Sequence, residues 1–370
     1  MLKKRMIKAF TICLLFICLI AQFIFVKSKY RYTPKLMNSV DIGETKTNIT
    51  NNYQNNASTW IGAYGGKLYF CPVKIAINNW KAPCVLYSVD DHSIRKEYVF
   101  RHGDRIKIIG QYGCYLYYWV NENKERALYG LNLNDMIETR IYTGNIGSLR
   151  LDFADDLGNV HIPLYTYGTD HTSSYLVVHD DRAVEINSLP CGYSIGEDTY
   201  YVSSASSFYN ECVYKDEDGK LSEIVIPGGT AFSRVIVPCG ESLVINQQGV
   251  DGMLYKLDKS GELIEMFSQE CMKSESAIAI HDSDVYISVS MLDGFDHTAL
   301  LNDKSPVPAS KDRNGTYKVN LEDCTVTRIS DRFYNGMYNL DDTCLICCDE
   351  GGCIYTVDFN GDEIEIINVD

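Results

Sequence analysis

The sequence predicts an all-β protein, a seven-bladed β-propeller of four-stranded antiparallel blades, preceded by one N-terminal transmembrane helix. Three observations predict it. An apolar run sits near the N-terminus, a short strand motif recurs seven times after it, and the recurrences stand about 45 residues apart, the length of one propeller blade. Composition agrees. Of 370 residues, 45% are hydrophobic, which supports a packed core and excludes wholesale disorder; 27 Gly with nine Pro exclude collagen-like and Pro-rich chains.

The apolar run covers residues 9–26 and is broken only by Thr11 and Gln22. That is close to the ~20 residues a helix needs to cross a bilayer core. Residues 1–8 form a basic tail with Lys3, Lys4, Arg5 and Lys8, which favours a cytoplasmic N-terminus. Lys27, Lys29, Arg31 and Lys35 follow the run and weaken that bias. A cleaved signal peptide or a lipoprotein signal is the alternative, and both want small residues at the processing site. Ala21 is instead followed by Gln22 and Phe23, and Cys18 is preceded by Phe16 and Ile17. An uncleaved anchor fits better, and the remainder is then exported across the cell membrane. Residues 27–57 are polar, with Asn48, Asn51, Asn52, Asn55 and Asn56 clustered and no hydrophobic period, and read as a flexible stalk. Residues 58–370 are the propeller domain.

Up to Ala57 there are nine basic and two acidic residues, which leaves 25 basic and 47 acidic in the propeller, a net charge of −22. So acidic a domain repels nucleic acid, whose binding needs Lys and Arg on phosphates. Twelve of the 14 Cys lie beyond the anchor. An exported domain permits disulfides, and two pairs are geometrically plausible: Cys348 with Cys353 across a hairpin, and Cys71 with Cys84 across a longer loop. Otherwise these Cys are small buried hydrophobes.

The repeat is centred on a third strand reading Leu-Tyr-x-Leu/Val-Asp/Asn. It occurs as Leu86-Tyr87-Ser88-Val89-Asp90, Leu128-Tyr129-Gly130-Leu131-Asn132, Val213-Tyr214-Lys215-Asp216, Leu254-Tyr255-Lys256-Leu257-Asp258, Thr316-Tyr317-Lys318-Val319-Asn320 and Ile354-Tyr355-Thr356-Val357-Asp358, with a degenerate copy at Tyr175-Leu176-Val177-Val178-His179. Turns such as Asp216-Glu217-Asp218-Gly219, Asp258-Lys259-Ser260-Gly261 and Asp358-Phe359-Asn360-Gly361 follow it, each placing Gly where a hairpin needs positive φ. One blade cannot bury both faces of its sheet, but neighbours stacked in a ring can. Blade boundaries fall near Arg101, Asn145, Ser188, Thr230, Lys273 and Asp331. Blade 6 carries an insertion over 292–314, and blade 7 owns its fourth strand, so no blade is clearly shared between the termini. The Tyr of the third strands read as core.

The repeat resembles the bacterial β-propellers similar to those of low-density lipoprotein receptor-related proteins, named for a Tyr-Trp-Thr-Asp strand. The nearest match is Tyr118-Trp119-Val120-Asn121, followed by Leu128-Tyr129-Gly130-Leu131-Asn132. The resemblance spans roughly residues 58–370 and implies a binding or scaffold role by analogy.

In this fold the loops between second and third strands share a face with the blade-to-blade connections, and the turns between first and second strands lie opposite. On the loop face the sequence offers a recurrence, Gly168-Thr169-Asp170-His171-Thr172 in blade 3 and Gly294-Phe295-Asp296-His297-Thr298 in blade 6. A carboxylate beside an imidazole suits a polar ligand. Aromatics Trp80, Tyr167, Phe208, Tyr209 and Phe295 share that face and can anchor a protein or glycan. The candidate ligand-binding residues are therefore Asp170, His171, Asp296, His297, Trp80, Tyr167, Phe208, Tyr209 and Phe295. On the opposite face Asp155, Asp156, Glu197, Asp198, Glu241, Asp282, Asp284, Asp341 and Asp342 form a partial ring of carboxylates able to attract cations, or are simply good turn residues.

No P-loop, dinucleotide fingerprint or zinc-protease motif is present, and no catalytic, cofactor or metal residue is named. The first strands, such as Trp60-Ile61-Gly62 and Ala277-Ile278-Ala279, offer few carboxylates around the axis. The expectation is a membrane-anchored extracytoplasmic module that binds an envelope or extracellular protein or glycan. The alternatives are an enzyme acting on extracellular glycans or peptides through acidic funnel residues, and a structural subunit of an envelope complex.

Overall fold

The computed structural model describes residues 34–42 and, within 59–369, all but the connections 73–83, 103–105, 123–124, 145–150, 165–172, 189–191, 205–210, 228–230, 250–252, 269–277 and 290–313 and the positions 91, 152, 155–156, 180, 341–342 and 350. The predicted anchor therefore lies outside the described residues. Among the described residues, no helix is long and apolar enough to cross a membrane.

The first strand, β1 (Pro34–Leu36), precedes the blades. Blade 1 holds β2 (Thr59–Tyr64), β3 (Lys67–Pro72), β4 (Val85–Asp90) and β5 (Ser93–Val99). Blade 2 holds β6 (Ile106–Tyr112), β7 (Tyr115–Glu122), β8 (Glu125–Asn132) and β9 (Ile137–Gly144). Blade 3 holds β10 (Phe153–Ala154), β11 (Val160–Leu164), β12 (Ser173–His179) and β13 (Arg182–Ser188). Blade 4 holds β14 (Gly192–Ile195), β15 (Asp198–Ser204), β16 (Glu211–Glu217) and β17 (Lys220–Glu223). Blade 5 holds β18 (Ala231–Cys239), β19 (Ser242–Gly249), β20 (Met253–Leu257) and β21 (Leu263–Ser268). Blade 6 holds β22 (Ile278–His281), β23 (Asp284–Val289), β24 (Gly315–Asn320) and β25 (Val326–Ser330). Blade 7 holds β26 (Gly336–Leu340), β27 (Cys344–Cys348), β28 (Ile354–Val357) and β29 (Glu363–Val369). Every blade is an antiparallel meander in chain order, and β1 adds a fifth strand to blade 7. This is an all-β seven-bladed propeller, and the predicted blade boundaries fall at the junctions.

All seven copies of the sequence motif lie on third strands, and the packing explains the pattern. A blade buries both sheet faces, so alternate residues enter alternate seams. In β8, Leu128 packs towards blade 3, while Ala127, Tyr129 and Leu131 pack towards blade 1. Six apolar clusters of this kind fill the seams 7–1, 1–2, 2–3, 4–5, 5–6 and 6–7 among the described residues.

The terminal Asp or Asn of the motif has its own work. Its side-chain oxygen accepts backbone N–H groups of the following turn: Asp90 from Ser93 at 3.0 Å, Asn132 from Asn134 at 2.9 Å, Asp216 from Gly219 at 2.6 Å, Asp258 from Ser260 at 2.8 Å, Asn320 from Glu322 at 2.8 Å and Asp358 from Gly361 at 2.7 Å. These are Asx turns, in which a side chain replaces a missing ladder partner. Gly219, Gly261 and Gly361 all have positive φ, as the turns require. Hydrogen bonds from Ser260 hold the Asp258 carboxyl below its ordinary range; burial pushes Asp358 up, but the N–H groups of Asp362, Asn360 and Gly361 outweigh it. A depressed folded-state pKa contributes stability above the unfolded value of about 3.9, and that stability is lost as pH falls through the folded value. Asp258→Asn with Asp358→Asn keeps the acceptors, so stability at pH 7 should change by about 0.5 kcal/mol or less while the acid limb of a Tm–pH profile flattens. An unchanged acid limb would contradict the assignment.

Polar clasps join inner strands across two seams. Gln111 of β6 donates to Ala63 O of β2 at 2.9 Å, and Asn339 of β26 donates to Ile280 O of β22 at 2.7 Å. Gln111 also fixes its neighbour, since a Cβ at Gly62 would meet its Oε1 at 2.3 Å.

Closure joins blade 7 to blade 1. Ile61, Ala63, Leu68, Phe70 and Val89 of blade 1 share one cluster with Tyr338, Leu340, Ile346, Cys348, Ile354, Ile366 and Ile367 of blade 7. Val40 and Ile42 insert into the same cluster at 6% and 4% exposure. β1 pairs antiparallel with β29, Lys35 opposite Asn368, and Asn38 donates to Glu365 O at 2.7 Å. Part of the segment read as a flexible stalk over 27–57 is thus a strap across the closing seam. The stalk reading is corrected for 34–42, where tertiary pairing orders a segment with no periodicity of its own.

Candidate functional site

The nine candidate residues, Trp80, Tyr167, Asp170, His171, Phe208, Tyr209, Phe295, Asp296 and His297, all lie outside the described residues. Their framing strands are described. In sequence these residues fall between β3 and β4, β11 and β12, β15 and β16, and β23 and β24, which in each blade is the second-to-third-strand connection. The blade 6 insertion falls there too, between Val289 and Gly315.

The described part of that face is built around third-strand Tyr hydroxyls. In blade 2, Tyr129 donates to Glu122 at 2.9 Å, and Glu122 also meets Arg140 at 3.2 Å and His102 Nδ1 at 3.5 Å. The His102 ring packs on Tyr129, with centroids 4.9 Å apart. In blade 7, Tyr355 donates to Asp349 at 3.2 Å, and Arg332 donates to Tyr355 at 3.1 Å while lying 4.4 Å over its ring. Arg332 also meets Glu363 at 3.2 Å. In blade 5, Tyr255 and Gln247 both donate to Pro227 O, at 3.3 and 3.1 Å. In each case a residue of the connection from the preceding blade, His102, Arg332 or Pro227, is fastened to the third strand. Burial raises the Tyr129 and Tyr355 hydroxyls, and Glu122 and Asp349 raise them further, so both stay protonated donors. These Tyr are core, as the sequence indicated, but their hydroxyls are also linker anchors. The sequence signal was an acid six or seven residues before the motif Tyr.

The opposite face differs from the predicted carboxylate ring. Asp155, Asp156, Asp341 and Asp342 lie outside the described residues. Asp198 is paired with Lys215 at 2.7 Å and Asp284 with Lys318 at 2.5 Å, and Asn320 also donates to Asp284 at 2.8 Å. Each Lys stands directly across the ladder from a second-strand Tyr, Lys215 opposite Tyr200 and Lys318 opposite Tyr286. The hydrogen bonds to Asp198 and Asp284 raise the two Lys above their ordinary value, so both lysines stay charged near neutrality. Asp282 meets His281 at 3.5 Å, and His281 stacks on Phe359 of blade 7, with centroids 3.8 Å apart. Glu241 is exposed and 4.0 Å from Lys259. Among the described residues, no group of three or more His, Cys, Asp or Glu converges as a metal site.

The two predicted cysteine pairs separate. Cys348 and Cys353 enter opposite seams of blade 7, Cys348 towards blade 1 and Cys353 towards blade 6, which corrects the hairpin pairing. Cys71 and Cys84 are brought together in the seam between blades 1 and 2, their sulfurs 3.1 Å apart.

No protein-family model matches the chain, and no curated protein matches it. Among solved structures, it is similar to the β-propeller domain of the Trilobed protease from Pyrococcus furiosus, at 12% identity and a TM-score of 0.49, covering 83% of this chain and 97% of that one. It is also similar to an acylaminoacyl peptidase, at 12% identity, TM-score 0.47 and 86% of this chain, but spans only 52% of that protein. For TolB from Acinetobacter baumannii the values are 9% identity, TM-score 0.38, 77% of this chain and 59% of that one. The fold rests on the seven sheets themselves. The low-density lipoprotein receptor-type assignment gains no support: the Tyr118-Trp119-Val120 stretch of β7 is seam core, Tyr118 and Val120 towards blade 1 and Trp119 towards blade 3 with Arg126 4.6 Å above its ring. The chain is a seven-bladed β-propeller, as its seven antiparallel sheets show.

Proposed function

We propose that the chain is a membrane-anchored, extracytoplasmic propeller, N-terminus in the cytoplasm, whose loop face binds an envelope or extracellular protein or glycan. The observation that carries the choice of face is the state of the other one. There, Asp198 and Asp284 are neutralised by Lys215 and Lys318, and the hairpin Asx turns satisfy their own backbone. On the loop face, the blade 3 and blade 6 connections carry Asp170-His171 and Asp296-His297, and aromatic Trp80, Tyr167, Phe208, Tyr209 and Phe295 accompany them. Function concentrates on loops held by a rigid scaffold. Blades 3 and 6 are three steps apart around a seven-blade ring, so their loops suit a large partner rather than one ion. The N-terminal run of residues 9–26 and its basic flank support the anchor.

The test is retention of a partner from envelope extract by the immobilised full-length protein. Asp296→Ala with His297→Ala should weaken retention several-fold at nearly unchanged Tm, because surface substitutions shift stability by about 0.5 kcal/mol or less. Asp341→Ala with Asp342→Ala on the opposite face should retain the partner. The reverse result moves the site to the other face. For the anchor, the protein should stay with membranes after a high-salt wash, and a mature chain beginning after residue 21 would contradict it.

A further inference from the structure

The structure brings two thiols together that are 13 residues apart in sequence. Cys71 is the penultimate residue of β3, and Cys84 immediately precedes β4. Their sulfurs are 3.1 Å apart, inside the apolar seam formed by Trp60, Leu86, Phe100, Ile106 and Tyr118. We propose that Cys71 and Cys84 form an intramolecular disulfide by exchange with a small-molecule or protein disulfide, closing the base of the connection that carries Trp80.

The site is built for one pairing. Cys71 is fully buried and Cys84 is 8% exposed, so Cys84 is the less buried of the two and the first to meet a donor when the seam opens. Burial, with Cys84 beside it, raises the Cys71 thiol well above its ordinary value, which keeps it protonated and unreactive towards solvent. The exchange runs in two steps. The Cys84 thiolate attacks the donor disulfide, forming a mixed disulfide and releasing one donor thiol. The Cys71 sulfur then attacks the Cys84 sulfur, forming the Cys71–Cys84 bond and releasing the second donor thiol. The two protons lost by the protein are carried by the two released thiols; the protein pair is oxidised and the donor disulfide reduced. Other described thiols are placed differently: Cys348 donates towards Thr59 O and Asn335 Oδ1, and Cys239 donates to Asp282 O. The product bond tethers both ends of the second-to-third-strand connection of blade 1. It does not depend on the anchor or on the ligand, because the reaction is read on the purified chain.

The experiment is to reduce the full-length protein, remove the reductant, incubate it with oxidised glutathione, then denature, alkylate and map peptides without reduction. The expected product is a cross-linked peptide pair joining Cys71 to Cys84, two hydrogens lighter than the reduced peptides, with both thiols lost from the alkylated pool. The Cys71→Ser variant should stall with glutathione on Cys84, and Cys84→Ser should leave Cys71 unmodified. Full alkylation of Cys71 and Cys84 while half-buried Cys114 and Cys353 have taken up glutathione would overturn the proposal, as would recovery of Cys84 joined to a different cysteine.

Discussion

A chain ended at Asp331 should aggregate or be digested as it forms. Blade 7 covers Ile61, Leu68, Phe70 and Val89 of blade 1 on one side and Ala279 and Tyr286 of blade 6 on the other. Each large side chain loses about 1.5–3 kcal/mol of burial when its seam opens. The sum is on the order of 10 kcal/mol, comparable with the whole stability of an ordinary domain. Limited proteolysis and size-exclusion chromatography read the outcome. A monomeric, protease-resistant six-blade product would show that the blades are an open array, each supported by its neighbours alone.

Ile42→Asp should lower stability by about 2–3 kcal/mol, and the size of the effect has a ceiling. Ile42 is buried in the seam between blades 7 and 1, and an unpaired carboxylate there is costly. The strap can escape that penalty by undocking, so the loss is limited to what docking contributed, chiefly the burial of Val40 and Ile42. Undocking also uncovers β29, whose free edge is a template for intermolecular pairing. Urea denaturation gives the shift, and light scattering gives the association. Ile42→Val, which keeps most of the apolar volume, should cost about 1 kcal/mol and leave the protein monomeric. Equal losses for the two variants would mean that the strap contributes nothing through its apolar side chains.

What the sequence showed and what it hid follow from the range of the forces involved. The third-strand motif was legible because its Leu and Val face seams and its Asp or Asn caps the next turn, both local requirements. The strap was hidden because Pro34–Leu36 is too short for a period and is ordered by a partner more than 300 residues away. The acid turns looked like a cation ring because Asp198 and Asp284 are adjacent to turns; their neutralisers, Lys215 and Lys318, sit on another strand. The clue was present as a Lys directly after the motif Tyr in blades 4 and 6. Cys71 with Cys84, across a longer loop, and Cys348 with Cys353, across a hairpin, were both plausible pairs in the sequence, and the sheet faces decide between them. The loop-face candidates follow from strand order in the sequence alone, since all nine lie outside the described residues.

Closure between blades 7 and 1 is measured most directly by native-state hydrogen exchange. In a closed ring the innermost strands β2 and β26 are interior like any other, sharing the cluster of Ile61, Ala63, Tyr338 and Leu340. Their hydrogen-bonded amides should exchange only through global unfolding, with the same free energy as those of β6 and β18. If β2 and β26 instead exchange through a lower-energy opening while the middle blades remain protected, they behave as the frayed ends of an open stack, and the ring is not closed.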